Sequence, residues 1–134
     1  MFDIASIEVS DTTDIAIMNP STGEPLIGED DKACTVTVYG PGSKPFKAAQ
    51  SVASNRAMKR VRAKGRNAET TPDEEAAATA SFLSAITVSF NNFNYGGSGE
   101  PEAIRRAYAD PKMGWLTEQV NAGAGDWAAF TKAA

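Results

Sequence analysis

"CTVTVYGPGSKPFKAAQ" (residues 34–50) decides the fold class. In its first half Cys34, Val36 and Val38 alternate with Thr35 and Thr37. A period of two puts the apolar set on one face of a strand and the polar set on the other. In its second half the period changes. Ser43 suits a helix N-cap, and Pro45 falls in the first turn, where its missing N–H costs little. Phe46, Ala49, Ala53 and Ala57 then follow a helical stripe, widened by Val52 and Val61. The chain thus passes from strand to helix across Gly40-Pro41-Gly42. Strand patterns lie before this joint and helix patterns after it. The fold expected is α+β: a small N-terminal antiparallel β-meander followed by three to four α-helices, in one domain over 1–134, β-rich over 1–42 and helical over 43–134.

Upstream, Ile7 with Val9, and Ile15 with Ile17, alternate with polar neighbours. Asn19-Pro20-Ser21-Thr22-Gly23 is a turn, because Pro fixes φ and Gly supplies a positive one. Gly28-Glu29-Asp30-Asp31 is a second turn. The meander is therefore expected at 13–18, 24–27 and 33–39, with 5–9 as a further candidate.

Downstream, the first helix should end at Gly65, a natural C-cap, before a polar linker over 67–70. Thr71-Pro72-Asp73-Glu74 opens a second helix, with Thr71 as N-cap, Pro72 at N1 and Glu74 completing a capping box. Phe82, Ile86, Phe90 and Phe93 form a core stripe, although the β-branched run Ile86-Thr87-Val88 leaves a switch to extended structure open. Residues 91–99 are a loop, Pro101 to Tyr108 a short helix, and Asp110-Pro111 a turn. Trp115 to Phe130 is a last helix or helix pair, weakened at Gly123 and Gly125.

The glycine joint invites a nucleotide reading, and its chemistry argues against one. A phosphate cradle uses successive backbone N–H groups and a Gly directly before the Lys. Here Ser43 precedes Lys44, and Pro41 and Pro45 each delete a donor. No other catalytic signature stands out. The 134 residues include no histidine, which removes Ser-His and Cys-His nucleophile activation and thiolate-imidazole zinc sites. Cys34 is the single cysteine, so no intrachain disulfide forms, and its alternation with Val36 and Val38 marks it as a small buried hydrophobe. Glu29-Asp30-Asp31 is a solvated turn rather than a metal site. The chain is read as a non-enzyme without cofactor. No apolar run approaches the length of a membrane span, and the N-terminus lacks a signal-peptide pattern.

Charge is segregated. The net charge of −4 divides into −7 over residues 1–43, +8 over 44–66 and −5 over 67–134. The basic block centres on Arg56, Lys59, Arg60 and Arg62. It carries no aromatic beyond Phe46 and has acidic flanks, so an acidic protein partner or another subunit, or a merely solvated face, fits it better than nucleic acid. A second candidate surface is apolar. Trp115, Val120, Trp127 and Phe130 hold both tryptophans of the chain and suit a core or an interface.

The order "FLSAITVSFNNF" (82–93), a glycine loop, "AYADPKMGWLTEQV" (107–120) and "DWAAF" (126–130) resembles the tail assembly chaperones of long-tailed bacteriophages. "NPSTGEPL" (19–26) and "VYGPGSKPF" (38–46) are similar to the opening of such proteins, so the resemblance spans most of the chain. Phe90 stands where many relatives carry Trp. The resemblance implies a protein made in the host cytoplasm and absent from the mature virion. It implies binding to the long helical tape-measure protein while tail-tube subunits polymerise around it, several copies acting together as a homo-oligomer, and in many relatives a longer frameshifted form. Trp115, Val120, Trp127 and Phe130 would then be apolar anchors, and Arg56, Lys59, Arg60 and Arg62 an electrostatic patch. A structural virion protein, such as a tail-tube or head–tail connector subunit, is the rival reading, and a nucleic-acid-binding regulator a more distant one.

Overall fold

The computed structural model describes residues 1–64, 71–97 and 100–131. The fold is α+β. Three antiparallel strands, β1 (Thr12–Ala16), β2 (Thr35–Tyr39) and β3 (Thr87–Asn91), form a sheet with β2 at its centre. The helices are α1 (Lys44–Lys64), α2 (Pro72–Ile86), α3 (Pro101–Ala109), α4 (Gly114–Ala124) and the single turn α5 (Trp127–Phe130). No helix among the described residues is long and apolar enough to cross a membrane.

The alternation in 35–39 works as the spacing predicts. Val36 and Val38 are fully buried, and Thr35 and Thr37 face away from the core. On that outer face Asn91 donates from Nδ2 to Thr35 Oγ1 (3.0 Å) and Thr37 Oγ1 (2.8 Å), and Thr37 donates to Asp14. A polar ladder of this kind satisfies its own groups and lets the face meet water.

The sheet's third strand differs in position from the expected meander. Residues 24–27 form no named strand. Leu26 donates to Ile17 O and accepts from Cys34 N, both at 2.8 Å, but Pro25 has no N–H to extend a ladder, and the segment is left with isolated bridges. The third strand is 87–91 instead. Thr87 ends α2 by donating from Oγ1 to Leu83 O at 2.7 Å, and the chain enters β3 without a loop. Phe82 and Ile86 thus lie on a helix, while Phe90 lies on a strand. The β-branched pair Thr87-Val88 favours that switch. Phe90 still joins the core, stacked on Phe93 (ring centroids 4.6 Å apart) and edge-on to Tyr108. Residues 5–9 supply one 3-10 turn, Ile4–Ser6, and a lone bridge from Val9 to Thr131.

Helices α1, α2 and α5 each start at a side-chain cap. Thr71 Oγ1 accepts from Glu74 N at 3.2 Å, with Pro72 opening α2. Ser43 is buried, accepts from Phe46 N at 3.3 Å and donates to Gly40 O at 2.8 Å, so it caps α1 and closes the joint at once. The expected stop at Gly65 and the linker over 67–70 lie outside the described residues. The C-terminal break falls between α4 and α5, where Gly125 ends one helix and Asp126 caps the next by accepting from Ala128 N at 3.0 Å.

One hydrophobic cluster joins sheet and helices. Leu83 and Ile86 of α2, Leu116 and Val120 of α4, and Phe130 of α5 meet Val36 and Val38. Burying such a side chain stabilises by roughly 1.5–3 kcal/mol each, so this cluster dominates the folding energy.

Candidate partner-binding groove

Helix α1 is buried only at its start. Phe46 and Ala49 enter the core, and Phe46 meets Phe82 of α2 edge-on, ring centroids 5.3 Å apart. From Gln50 to Ala63 no side chain is buried. Val52, Met58 and Val61 are 50%, 55% and 44% exposed, and of the three Val52 faces α2. The spacing that places Ala53 and Ala57 on the core stripe runs past the end of the core.

Beyond the Phe46–Phe82 contact, α1 and α2 enclose a groove of about 770 Å³. Its floor and walls are small: Ala48, Ala53, Ala77, Ala78 and Ala85, with Val52 and Phe82. Arg56 and Arg60 lie along it on the α1 side and Glu74 on the α2 side. Arg56 crosses from α1 to α2, its Nη1 donating to Ser81 Oγ at 2.6 Å. An apolar trough with a charged rim is a form that can take a helix laid along it.

The predicted site residues separate into two groups. Arg56 and Arg60 line the groove, and Lys59 and Arg62 are exposed on the same helix. The aromatic set lies elsewhere. Val120 and Phe130 are buried, and there they hold α4 and α5 to the sheet. Trp115 is half-buried against the core beside a small apolar cavity of about 70 Å³ lined by Ile17, Cys34 and Phe93. Trp127 is 54% exposed, with its ring edge against Gly42. Gly42 precedes α1, and Arg56 lies fourteen residues beyond it. At 1.5 Å per residue that is about 20 Å, so the two groups do not form one site.

The sequence reading missed the α2 half of the groove. "EEAAATASF" (74–82) gives no signal, because alanine is equally at home in a core, on a surface or at the bottom of a trough.

The joint that looked like a phosphate loop is a packing site. A Cβ on Gly40 would come within 2.5 Å of the Phe130 ring. Ser10 N donates to Phe130 O at 2.7 Å and completes the enclosure. The glycines admit aromatic rings from the C-terminal segment.

Two other polar contacts fix the periphery. Tyr95 donates to Asp110 Oδ2 at 2.8 Å, and Asp110 Oδ1 accepts from Lys112 N at 3.0 Å. The Tyr95 hydrogen bond, then the Lys112 amide, hold the Asp110 carboxyl below its ordinary range. Burial pushes the Tyr108 hydroxyl up to about 12, although its hydrogen bond with Thr87 acts in the other direction. Neither pair lines the α1/α2 groove, and among the described residues no three carboxylate or cysteine groups gather as a metal set.

Compared with protein-family models, with curated proteins and with solved structures, the chain matches none.

Proposed function

We propose that this protein is a non-enzymatic tail assembly chaperone of a long-tailed bacteriophage, which binds the tape-measure protein in the host cytoplasm while tail-tube subunits assemble around it. The observation that carries the reading is the open, alanine-lined groove between α1 and α2, with exposed apolar side chains and arginines along the same helix. A chaperone for a long helical protein must hold apolar helix surface by reversible contact, and this groove has the form for that. The sequence resemblance supplies the phage context. Binding and release need no cofactor.

Co-expression with the tape-measure protein of the same phage is the test. The expected outcome is a soluble complex and a clear rise in soluble tape-measure protein. Equal solubility with and without this chain, and no complex, sinks the proposal. Mass spectrometry of purified particles addresses the rival: abundant peptides of this chain in mature virions would make it a structural subunit.

A further inference from the structure

We infer that the α1/α2 groove is the seat of one amphipathic helix with bulky apolar knobs and acidic flanks, supplied by another protein. The inference rests on the binding reading above and specifies the chemistry of the occupant.

The knobs follow from the lining. Alanines leave room between two helices where leucines would fill it, so the complementary surface carries large side chains at helical spacing. Ala53 on α1 and Ala77 and Ala78 on α2 are exposed, so among the described residues no side chain fills the trough from outside.

The acidic flanks follow from charge. Helix α1 carries seven basic residues and no acidic one, and α2 carries three acidic residues and no basic one. The helix pair is therefore net positive. A second copy docked symmetrically through this face would bring the same positive pair against the first, and like charges across an interface cost affinity. An acidic helix gains from the same field. Arg56 is placed for the exchange. Its present partner is the neutral hydroxyl of an exposed pair, and a carboxylate makes a stronger, charge-assisted bond.

The lining also sets a length: it runs from Pro45 to Arg60 on α1, about 22 Å at 1.5 Å per residue, so four turns of a partner helix suffice to fill it. Seating it covers the stretch of α1 that now buries nothing.

The probe is a synthetic helix of about 20 residues with Leu at positions i, i+4 and i+7 and Glu beside them, compared with the same peptide carrying Lys for Glu. Titration calorimetry and hydrogen exchange are read on the intact chain. The Glu peptide should bind, and exchange over 50–63 should slow. The Lys peptide should not bind. Arg56→Glu and, separately, Ala78→Trp should each weaken binding by about tenfold or more, the first by charge and the second by filling the trough. Both sites are exposed, so circular dichroism should show the wild-type fold. Equal binding of both peptides, no binding of either, or binding unchanged by both substitutions overturns the inference. So does a concentration-dependent dimer of the free chain that Ala78→Trp dissociates, since the seat would then belong to a second copy. If the peptide fails while the tape-measure complex forms, the groove assignment falls and the chaperone reading stands on another surface. If the peptide binds and no such complex forms, the groove stands and the chaperone reading falls.

Discussion

Single residues explain the joint that first suggested a nucleotide. Gly40 is required by space, because a Cβ there would overlap the Phe130 ring at three of its carbons, all within 2.7 Å. Gly40→Ala should therefore destabilise by about 1–3 kcal/mol, read as a lower urea midpoint with an unchanged slope. Phe130→Leu makes room at the same point, so the double variant should lose clearly less than the sum of the two single losses. Additive losses would mean that the ring and the glycine do not compete for one space. A different single residue contributes to the alkaline side of the stability profile. Tyr108 is buried and its hydroxyl is raised to about 12 from 10.0. Below pH 10 it is neutral in both states and its contribution is complete. Above that the unfolded chain loses the proton first, so stability falls until the folded hydroxyl also ionises. The span is worth roughly 2–3 kcal/mol. Tyr108→Phe should flatten that part of the urea-midpoint profile between pH 9 and 12, after subtraction of the constant loss of the Thr87 hydrogen bond. Asp110 acts with the opposite sign. Its lowered carboxyl contributes above the unfolded value and ceases to as pH falls through the folded one, an acid-side effect that Tyr95→Phe should reduce.

At the scale of elements, caps carry more information than stripes. Thr71 Oγ1 holds the Glu74 amide, so Thr71→Ala should cost about 1 kcal/mol and lower the melting temperature by a few degrees, while Thr71→Ser should restore most of it. No change on Thr71→Ala would mean that the start of α2 is fixed by other contacts. This start, the Ser43 cap and the break at Gly125 were legible because each depends on chemistry within four or five residues. Strand β2 was legible because it alternates strictly. The third strand was not. Leu26 satisfies the spacing for a strand, but Pro25 removes the next donor, whereas Thr87-Val88-Ser89-Phe90-Asn91 finds its partner some fifty residues upstream. Pairing across that separation leaves no local trace. Trp115, Val120, Trp127 and Phe130 show the same limit. Their aromatic and apolar character marks them as anchors, but only the fold decides that Val120 and Phe130 anchor the core and that Trp127 keeps half its surface in solvent. Half of the groove was legible as the arginines of α1. The alanines of α2 were not, since a methyl group has the same pattern in a trough as on a plain surface.

Across the whole molecule, stability and binding surface are divided between two regions. The sheet, α3, α4, α5 and the ends of α1 and α2 that meet it hold most of the buried side chains, while α1 from Gln50 to Ala63 adds none. Most helical stability in proteins comes from packing of an apolar face, and a free helix of this length is marginal in water. The two regions should therefore open with different free energies. Amides of Val36 and Val38, central in the sheet, should exchange only on global unfolding. Amides over 50–63 should exchange by local opening, faster by at least about a hundredfold at neutral pH, a gap of about 3 kcal/mol. Hydrogen-exchange mass spectrometry on the free chain resolves the two peptides directly. Local opening of α1 would also limit affinity, because a partner must first order the surface that it binds. A stabilising change on the outer face of α1 away from the groove, such as Ser54→Ala, should then slow exchange over 50–63 and tighten partner binding together, without any new contact. If 50–63 exchanges as slowly as β2 in the free chain, α1 is already held along its whole length, and partner binding gains nothing from ordering it.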